Sequence, residues 1–197
     1  HDGDLISFTI DRVGEGKFFG YGICQKINVK LLDPNRELSI TTANSVEVVM
    51  GKGTEYIYPF PRFYITEVHR DEETNELSIT AYDALYTAAN YTVADLGITA
   101  GYSIAEFATM CASLLGLPIA ALDSAFNIQY VDGANFDGTE TIREALNAVA
   151  EATQTIYFIN HLNQLEFKRL DKDGAAPLTI DKSQYYDLDS KTNRRYY

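Results

Sequence analysis

The chain has few of the residues that build covalent or metal-centred sites. Among its 197 residues are two cysteines, Cys24 and Cys111, which lack C-x-x-C spacing and are too few for a disulfide framework. Three histidines do not add enough ligands for a zinc site, whose Cys and His side chains must converge on one ion. We therefore expect both cysteines to be buried as small hydrophobic residues, and we expect no metal or other cofactor.

Long apolar runs are also missing. The longest uncharged stretch, Phe107–Leu122, is shorter than the roughly 18 to 20 residues of a bilayer span and contains Gly116 and Pro118. We therefore expect no membrane insertion. The first residues, His1-Asp2-Gly3-Asp4, have neither a starting Met nor a signal pattern, so the chain is expected to be a piece of a longer protein.

Motifs of nucleotide-binding and catalytic sites do not occur. The early glycines do not form G-x-G-x-x-G, because position 19 is Phe19, and no G-x-S-x-G motif is present. Paired carboxylates, which could cleave a glycosidic bond, lie in predicted turns such as Asp71-Glu72-Glu73 or at chain ends, where charge is solvated. The sequence therefore predicts a protein that is not an enzyme, with no catalytic, metal-binding or cofactor-binding residues.

Acidic residues outnumber basic ones by 28 to 16, which gives a net charge of −12. A chain this acidic repels phosphate, so its charge argues against binding of nucleic acid in a basic groove. Passage of DNA without specific binding is compatible with the charge, because an acidic wall lets DNA slide without adhering.

From residue 5 to about 83, apolar and polar residues alternate, the pattern of half-buried antiparallel strands. The predicted strands cover residues 5–10, 25–31, 36–41, 45–50, 56–60, 63–69 and 77–82. Short strands with no long helix between them predict a small antiparallel β-barrel, since closing a sheet removes its exposed edges. We expect this barrel to occupy residues 1–85.

From about residue 84 the apolar period changes to that of a helix. Ser103-Ile104-Ala105-Glu106 is a capping box that starts one helix before Gly116, and Thr141-Ile142-Arg143-Glu144 starts a second that ends near Thr153. Two strands joined by a turn at 161–163 are predicted to follow. We expect residues 86–177 to form a small α+β domain and residues 178–197 to begin a further β domain, so that the fold class is α+β and β-rich.

Aromatic residues flanked by prolines stand out between the predicted strands. Tyr58, Phe60, Phe63 and Tyr64 surround Pro59 and Pro61 in a chain with 14 tyrosines and 10 phenylalanines. Exposed aromatic side chains favour interfaces because they combine a large apolar area with a polar tip. We interpret these four aromatic residues as a candidate subunit contact.

The order of several segments resembles one protein family over nearly the whole chain. The segments are Asp4–Phe8, Phe18–Lys26, the paired Tyr64–Val68 and Leu77–Asp83, Thr141–Leu146 with Ala150-Glu151-Ala152, the hairpin Asn163–Phe167, and Tyr185–Tyr196. The first three resemble the first tube domain of phage tail baseplate hub proteins. The next two resemble the helix-hairpin unit after that barrel, as in prophage endopeptidase tail-type proteins, and the last resembles the start of the second barrel.

The resemblance implies a structural role in a phage or prophage tail tip. Proteins of this family form trimers whose two barrels per subunit make a pseudo-sixfold ring around a channel for DNA. The implied partners are other copies of the chain in a homotrimer and a tail tube or distal tail protein, with DNA passing through. The implied location is the virion, after expression from a prophage in the bacterial cytoplasm.

Two other readings stay open. The hub of a contractile injection or secretion system shares this architecture. A cell-wall hydrolase or carbohydrate-binding module is the other alternative, because tyrosine-rich β surfaces also bind sugars.

Overall fold

The chain is a strand-rich α+β protein in which one curled sheet forms half of a barrel. The computed structural model describes residues 4–13, 20–52, 55–57, 60–98, 101–127, 130–131 and 136–169. The predicted start of a further domain at 178–197 lies outside these residues.

Seven strands come first among the described elements, then the helices with two short strands between them, and then a β-hairpin. The strands are β1 Asp4–Val13, β2 Tyr21–Leu32, β3 Ser45–Val46, β4 Met50–Lys52, β5 Glu55–Ile57, β6 Phe63–Arg70, β7 Glu76–Tyr82, β8 Tyr102–Ser103, β9 Tyr130–Val131, β10 Thr155–Ile159 and β11 Leu165–Arg169. The α-helices are α1 Ile104–Leu114 and α2 Ile142–Thr153, and 3-10 helices cover Ala84–Ala89, Val93–Leu96 and Ser124–Asn127.

Strand β2 organises the main sheet because it pairs with three other strands. It runs antiparallel to β1 from Cys24 to Leu32 and antiparallel to β7 from Lys26 to Leu32. Its first three residues, Tyr21–Ile23, pair in parallel with Ile156–Phe158 of β10. The sheet order is therefore β11-β10-β2-β7-β6-β3, with β1 also on β2. The C-terminal hairpin thus extends the sheet of the N-terminal strands.

The sheet does not close on itself within the described residues. Among the residues that the structure describes, strand β1 pairs only with β2 and β3 pairs only with β6, while β4–β5 and β8–β9 form separate two-stranded sheets. The described part of the chain therefore shows half of a barrel, which we call the half-barrel, in place of the closed barrel that the strand pattern predicts.

Residues 36–41 form a loop, and the prediction of a strand there is wrong. The buried carboxylate of Asp33 accepts hydrogen bonds from the backbone N–H groups of Glu37 (2.9 Å) and Leu38 (3.3 Å). Arg70 donates to the Leu38 carbonyl (3.0 Å) and pairs with Asp33 (2.7 Å). These side chains form hydrogen bonds with backbone groups that a strand would use for pairing, so no strand forms here. The apolar residues of the alternating pattern, Leu38 and Ile40, instead pack against the half-barrel core.

Both predicted helices are confirmed, together with their capping boxes. Ser103 accepts a hydrogen bond from the Glu106 backbone N–H (3.2 Å), and Glu106 accepts one from the Ser103 N–H (2.8 Å). Thr141 and Glu144 repeat this arrangement at the start of α2 with the same two distances. The boxes satisfy backbone donors that have no partner inside the helix, so the two helix starts are fixed by local sequence.

Two hydrophobic cores lie on the sheet. One fills the half-barrel and is formed by Ile27, Val29, Phe63, Ile65, Leu77, Ile79 and Ala81. The other lies between the sheet and the helices, and its largest fully buried members are Leu85, Phe107, Phe126, Ile142, Leu146, Tyr157, Ile159 and Leu165. The second core also includes Cys24 of β2, so β2 contributes to both cores.

The parallel pairing of β2 with β10 requires a glycine at position 22. A Cβ atom on Gly22 would overlap the ring of Tyr157, whose hydroxyl would lie only 2.8 Å away. The tyrosine cannot move aside freely, because it is 1% exposed and its hydroxyl donates to Asn147 Oδ1 at 2.8 Å. The missing side chain at Gly22 therefore leaves room for the Tyr157 ring, and this ring connects the half-barrel to α2.

Replacement of Gly22 by alanine should destabilise the chain by about 1–3 kcal/mol, the usual cost of an inserted methyl group in a packed core. Gly101→Ala is the matched control, since nothing lies within 4 Å of a Cβ there, and it should change stability by less than about 0.5 kcal/mol. Urea unfolding followed by circular dichroism measures both. Equal stability of the two variants would show that the packing of the Tyr157 ring does not require a glycine at position 22.

Candidate functional site

The concave side of the half-barrel presents an open apolar surface. Its groove, about 450 Å³ in volume, is lined by Leu5 and Phe8 of β1, by Ile27 and Val29 of β2, and by residues 46–49. Leu5 is 56% exposed and Phe8 is 46% exposed. Both side chains extend the half-barrel core to the edge of the sheet, because they pair with Leu31 and Val29 across the strands. The groove therefore marks the place where a closed barrel would bury these side chains.

The four aromatic residues of the predicted subunit contact have different surroundings. Tyr64 is 44% exposed, and Phe60 is half-buried against the half-barrel core. Phe63 has no exposed surface and belongs to that core. Tyr58 lies outside the described residues. In this chain Phe60 and Tyr64 present the surface available for a contact, and the contact itself stays a prediction.

Arg62 fixes the segment that carries these aromatic residues. Its guanidinium pairs with Glu47 through Nη2 at 2.6 Å and through Nε at 2.7 Å. Its backbone N–H donates to the side chain of Asn163, in the turn between β10 and β11. Residues from three parts of the chain are thus held together beside Phe60 and Tyr64.

A second cleft, of about 560 Å³, lies where β1, β2 and the C-terminal hairpin meet, and we call it the junction cleft. Its floor is formed by buried residues of β2 and β10, including Gln25, Ile156 and Ile159. Exposed residues form its rim: Arg12 from β1, His161 from the turn, and Lys168 from β11. Glu166 also lines the cleft, where its carboxylate accepts a hydrogen bond from Asn160 (3.0 Å).

Beside the floor of this cleft, a buried carboxylate links the sheet to the helical layer. Asp83, 1% exposed, accepts hydrogen bonds from the backbone N–H groups of Gln25 (2.8 Å) and Leu85 (3.0 Å). The Cys24 thiol also donates to it at 3.2 Å. Arg143 of α2 reaches the same place and donates to the Leu85 carbonyl at 3.0 Å. We call these five residues the junction network.

Burial raises the pKa of Asp83 to about 6, although the hydrogen bonds from Gln25, Cys24 and Leu85 favour its charged form. Burial likewise raises the pKa of the Cys24 thiol to about 12, and the nearby Asp83 charge adds to this shift. The pKa of Cys111 is also raised to about 12 by burial. Both cysteines are therefore neutral thiols at physiological pH and lack the thiolate that a nucleophile requires.

The described residues hold no group of three or more His, Cys, Asp or Glu side chains placed to bind a metal ion. In the same part of the chain, none of the helices has the length and hydropathy needed to cross a membrane. His69 and His161 are both exposed.

Sequence reasoning named the aromatic residues as a candidate contact, which stays a prediction, and it missed the junction network and the junction cleft. The one local signal was Asp83, a polar residue between an alternating strand and an apolar segment, where it caps the first 3-10 helix. The other partners come from distant positions: Gln25 on β2 and Arg143 on α2. Gln25 reaches Asp83 because β2 pairs with β7, where Lys26 lies opposite Tyr82, and Arg143 reaches Leu85 from α2. No local pattern encodes these contacts.

The fold is similar to that of solved tail proteins. The 43 kDa tail protein of prophage MuSo2 from Shewanella oneidensis matches with a TM-score of 0.53 and 12% identity, over 84% of this chain and 53% of that protein. The prophage tail protein gp18 from Listeria monocytogenes EGD-e matches with a TM-score of 0.55 and 17% identity, over 84% of this chain and 45% of gp18. The tail protein from Neisseria meningitidis MC58 matches with a TM-score of 0.53 and 12% identity, over 86% and 52%.

These matches show that the chain has a fold found in prophage tail proteins. The chain spans about half the length of each of these proteins. No protein-family model matches the sequence, and no curated protein matches it.

Alanine substitutions at positions 63 and 64 should separate the core from the candidate contact surface. Phe63→Ala removes a fully buried ring and should lower the free energy of unfolding by about 3–5 kcal/mol. Tyr64→Ala removes a half-exposed ring and should lower it by less than about 1 kcal/mol. If Tyr64 is a subunit contact, its variant also loses oligomeric mass in light scattering. An unchanged mass in wild-type and Tyr64→Ala samples that both oligomerise would contradict the contact.

The stability contributed by Asp83 should fall as the pH rises from about 4 to above 6. The unfolded carboxyl releases its proton near pH 4, whereas the folded one holds it until about pH 6, so raising the pH favours the unfolded state in this window. The decline should reach about 3 kcal/mol.

Asp83→Asn is the matched variant, since its amide does not titrate. Its amide keeps one carbonyl acceptor for the three donors around Asp83 and is neutral at every pH, so its unfolding free energy should not show the decline of the wild type. The difference in unfolding free energy between the wild type and this variant should shrink from pH 4 to pH 7 in urea titrations. A difference that stays constant over this range would contradict the raised pKa.

Proposed function

We propose that this chain is a non-enzymatic structural component of a phage or prophage tail tip. In this role it forms part of the baseplate hub, a ring that joins the tail tube to the tip and lets DNA pass. The observation that carries the proposal is the similarity of its fold to tail proteins from three bacteria, each over at least 84% of the chain.

The open half-barrel supports this role. An exposed apolar groove and the sheet edges at β1 and β3 are unfavourable in an isolated chain, since unpaired strands and apolar surface associate with other chains. In the proposed hub, further strands close the barrel over residues 1–85. Residues 86–177 then pack outside it as an α+β domain, and residues 178–197 begin the second barrel.

The charge supports a conduit for DNA. The net charge of −12 opposes adhesion of the phosphate backbone, so DNA passes without specific binding. In the proposed assembly three copies form a homotrimer, and a tail tube or distal tail protein contacts its upper face. The partners of the chain are therefore other copies of itself and the neighbouring tail proteins.

The location can be tested directly on particles. Prophage is induced from the source cells, the particles are purified on a density gradient, and an antibody against this chain is imaged by electron microscopy. We expect label only at the end of the tail distant from the head. Quantitative mass spectrometry of the same particles should give three copies of this chain per tail, which is the number in the proposed trimer.

An antibody against the major tail tube protein serves as the positive control, and it should label the full tail length. Particles from a strain lacking the gene for this chain serve as the negative control. Tailed particles that contain no copy of the chain would overturn the proposal. Label distributed along the tail would show a tube component and would overturn the hub assignment.

A further inference from the structure

The two ends of strand β2 carry opposite charge. At its start lies the junction cleft, whose rim presents the exposed cations Arg12 and Lys168 together with His161. Within the described residues neither Arg12 nor Lys168 forms an ion pair. Among the described residues that line the cleft, Glu166 is the acidic one, and its carboxylate accepts a hydrogen bond from Asn160. Basic side chains therefore outnumber acidic ones at this cleft, in a chain with 28 acidic and 16 basic residues.

At the other end of β2 lies an acidic hairpin tip, which we define as Asp71, Glu72 and Glu73 between β6 and β7. The adjoining residues Asn75 and Glu76 contact the end of β2, where Leu32 pairs with Glu76 and the Asp33 N–H donates to Asn75 O (3.0 Å). The tip therefore extends beyond the last residues of β2.

The acidic tip has a fixed shape and free charges. The Asp71 carboxylate accepts hydrogen bonds from the backbone N–H groups of Glu73 (2.9 Å) and Thr74 (3.2 Å). These bonds hold the turn and lower the pKa of Asp71. Glu72 and Glu73 are exposed, so their carboxylates are available to another molecule and little conformational entropy of the turn is lost on binding.

We infer that the acidic tip of one copy docks in the junction cleft of a second copy, with Glu72 and Glu73 facing Arg12 and Lys168. The tip cannot reach the cleft of its own chain, because the two lie at opposite ends of β2, about 30 Å apart along the strand. The contact is therefore head-to-tail, and such contacts generate a ring when the rotation between copies closes.

The cleft suits a hairpin tip in shape as well as in charge. Its volume of about 560 Å³ lies in the range of clefts that enclose small ligands. Its floor includes the apolar Ile156 and Ile159, which can pack against the aliphatic parts of glutamate side chains. Pro61 also lines it, so the docked tip would lie beside the aromatic surface of Phe60 and Tyr64. This inference rests on the proposed function for its biological role, but the contact is tested independently of any tail.

Charge reversal with compensation tests the contact. Sedimentation velocity of the full 197-residue chain is measured over a range of concentrations at low salt. Arg12→Glu with Lys168→Glu reverses the cleft, and Glu72→Lys with Glu73→Lys reverses the tip. Each variant alone should associate at least about tenfold more weakly than the wild type, because like charges then face each other. The equimolar mixture should recover association, since each variant supplies the charge that the other now requires.

The control variant, Glu67→Lys with Glu151→Lys, makes the same change in net charge as the tip variant, at two exposed positions outside the tip and the cleft. It should associate as strongly as the wild type. Association of the wild type should also weaken with added NaCl, because the Debye length falls from about 10 Å at 0.1 M to about 3 Å at 1 M. Circular dichroism confirms that each variant is folded.

Three results would overturn the inference. The first is a wild-type chain that stays monomeric at every concentration. The second is weakened association of the cleft variant with an unaffected tip variant, which would show that some other acidic segment occupies the cleft. The third is a mixture of the two variants that fails to recover association. None of these results bears on the location of the chain in a particle, which the labelling experiment decides separately.

Discussion

The short parallel pairing between the start of β2 and β10 is the contact on which the rest of the structure depends. It joins only Tyr21–Ile23 to Ile156–Phe158, but it continues the sheet from the half-barrel into the C-terminal hairpin. The Gly20 N–H extends the contact by donating to the Thr155 carbonyl at 2.9 Å. Without this pairing, the second core would lose its sheet, and β1 and the hairpin would not meet to form the junction cleft.

The junction network strengthens the same connection with polar contacts. Asp83 is the first residue after β7, yet its carboxylate accepts from the backbone of β2, and Arg143 brings α2 to the same place. A buried carboxylate contributes little net stability, because its desolvation opposes its hydrogen bonds. Its geometry, however, allows only one arrangement of strand, 3-10 helix and α-helix. The network thus specifies how the layers are oriented, while the two hydrophobic cores supply most of the stabilisation.

The sequence predicted the helices and strands whose formation depends on neighbouring residues. The capping boxes at Ser103 and Thr141 gave both helices, and alternation gave β2, β6 and β7. The alternation of residues 36–41 misled, because Asp33 and Arg70 bind the backbone there and no signal in the loop itself shows this. The sequence treated the four aromatic residues of the candidate contact alike, but the burial of Phe63 depends on which side of β6 faces the core. The junction cleft combines residues separated by more than 130 positions, and no periodicity places them together.

The long separation between β2 and β10 also determines when the fold can be completed. Residues 21–23 leave the ribosome well before residues 156–158. The half-barrel strands can therefore pair with one another before β10, the partner of the start of β2, has been synthesised. Pairing β2 with β10 closes a loop of more than 130 residues. The loss of chain entropy is offset only when the second core has formed. During most of synthesis the start of β2 therefore lacks its pairing with β10. The nascent chain reaches its final topology only after α2 and the hairpin have emerged.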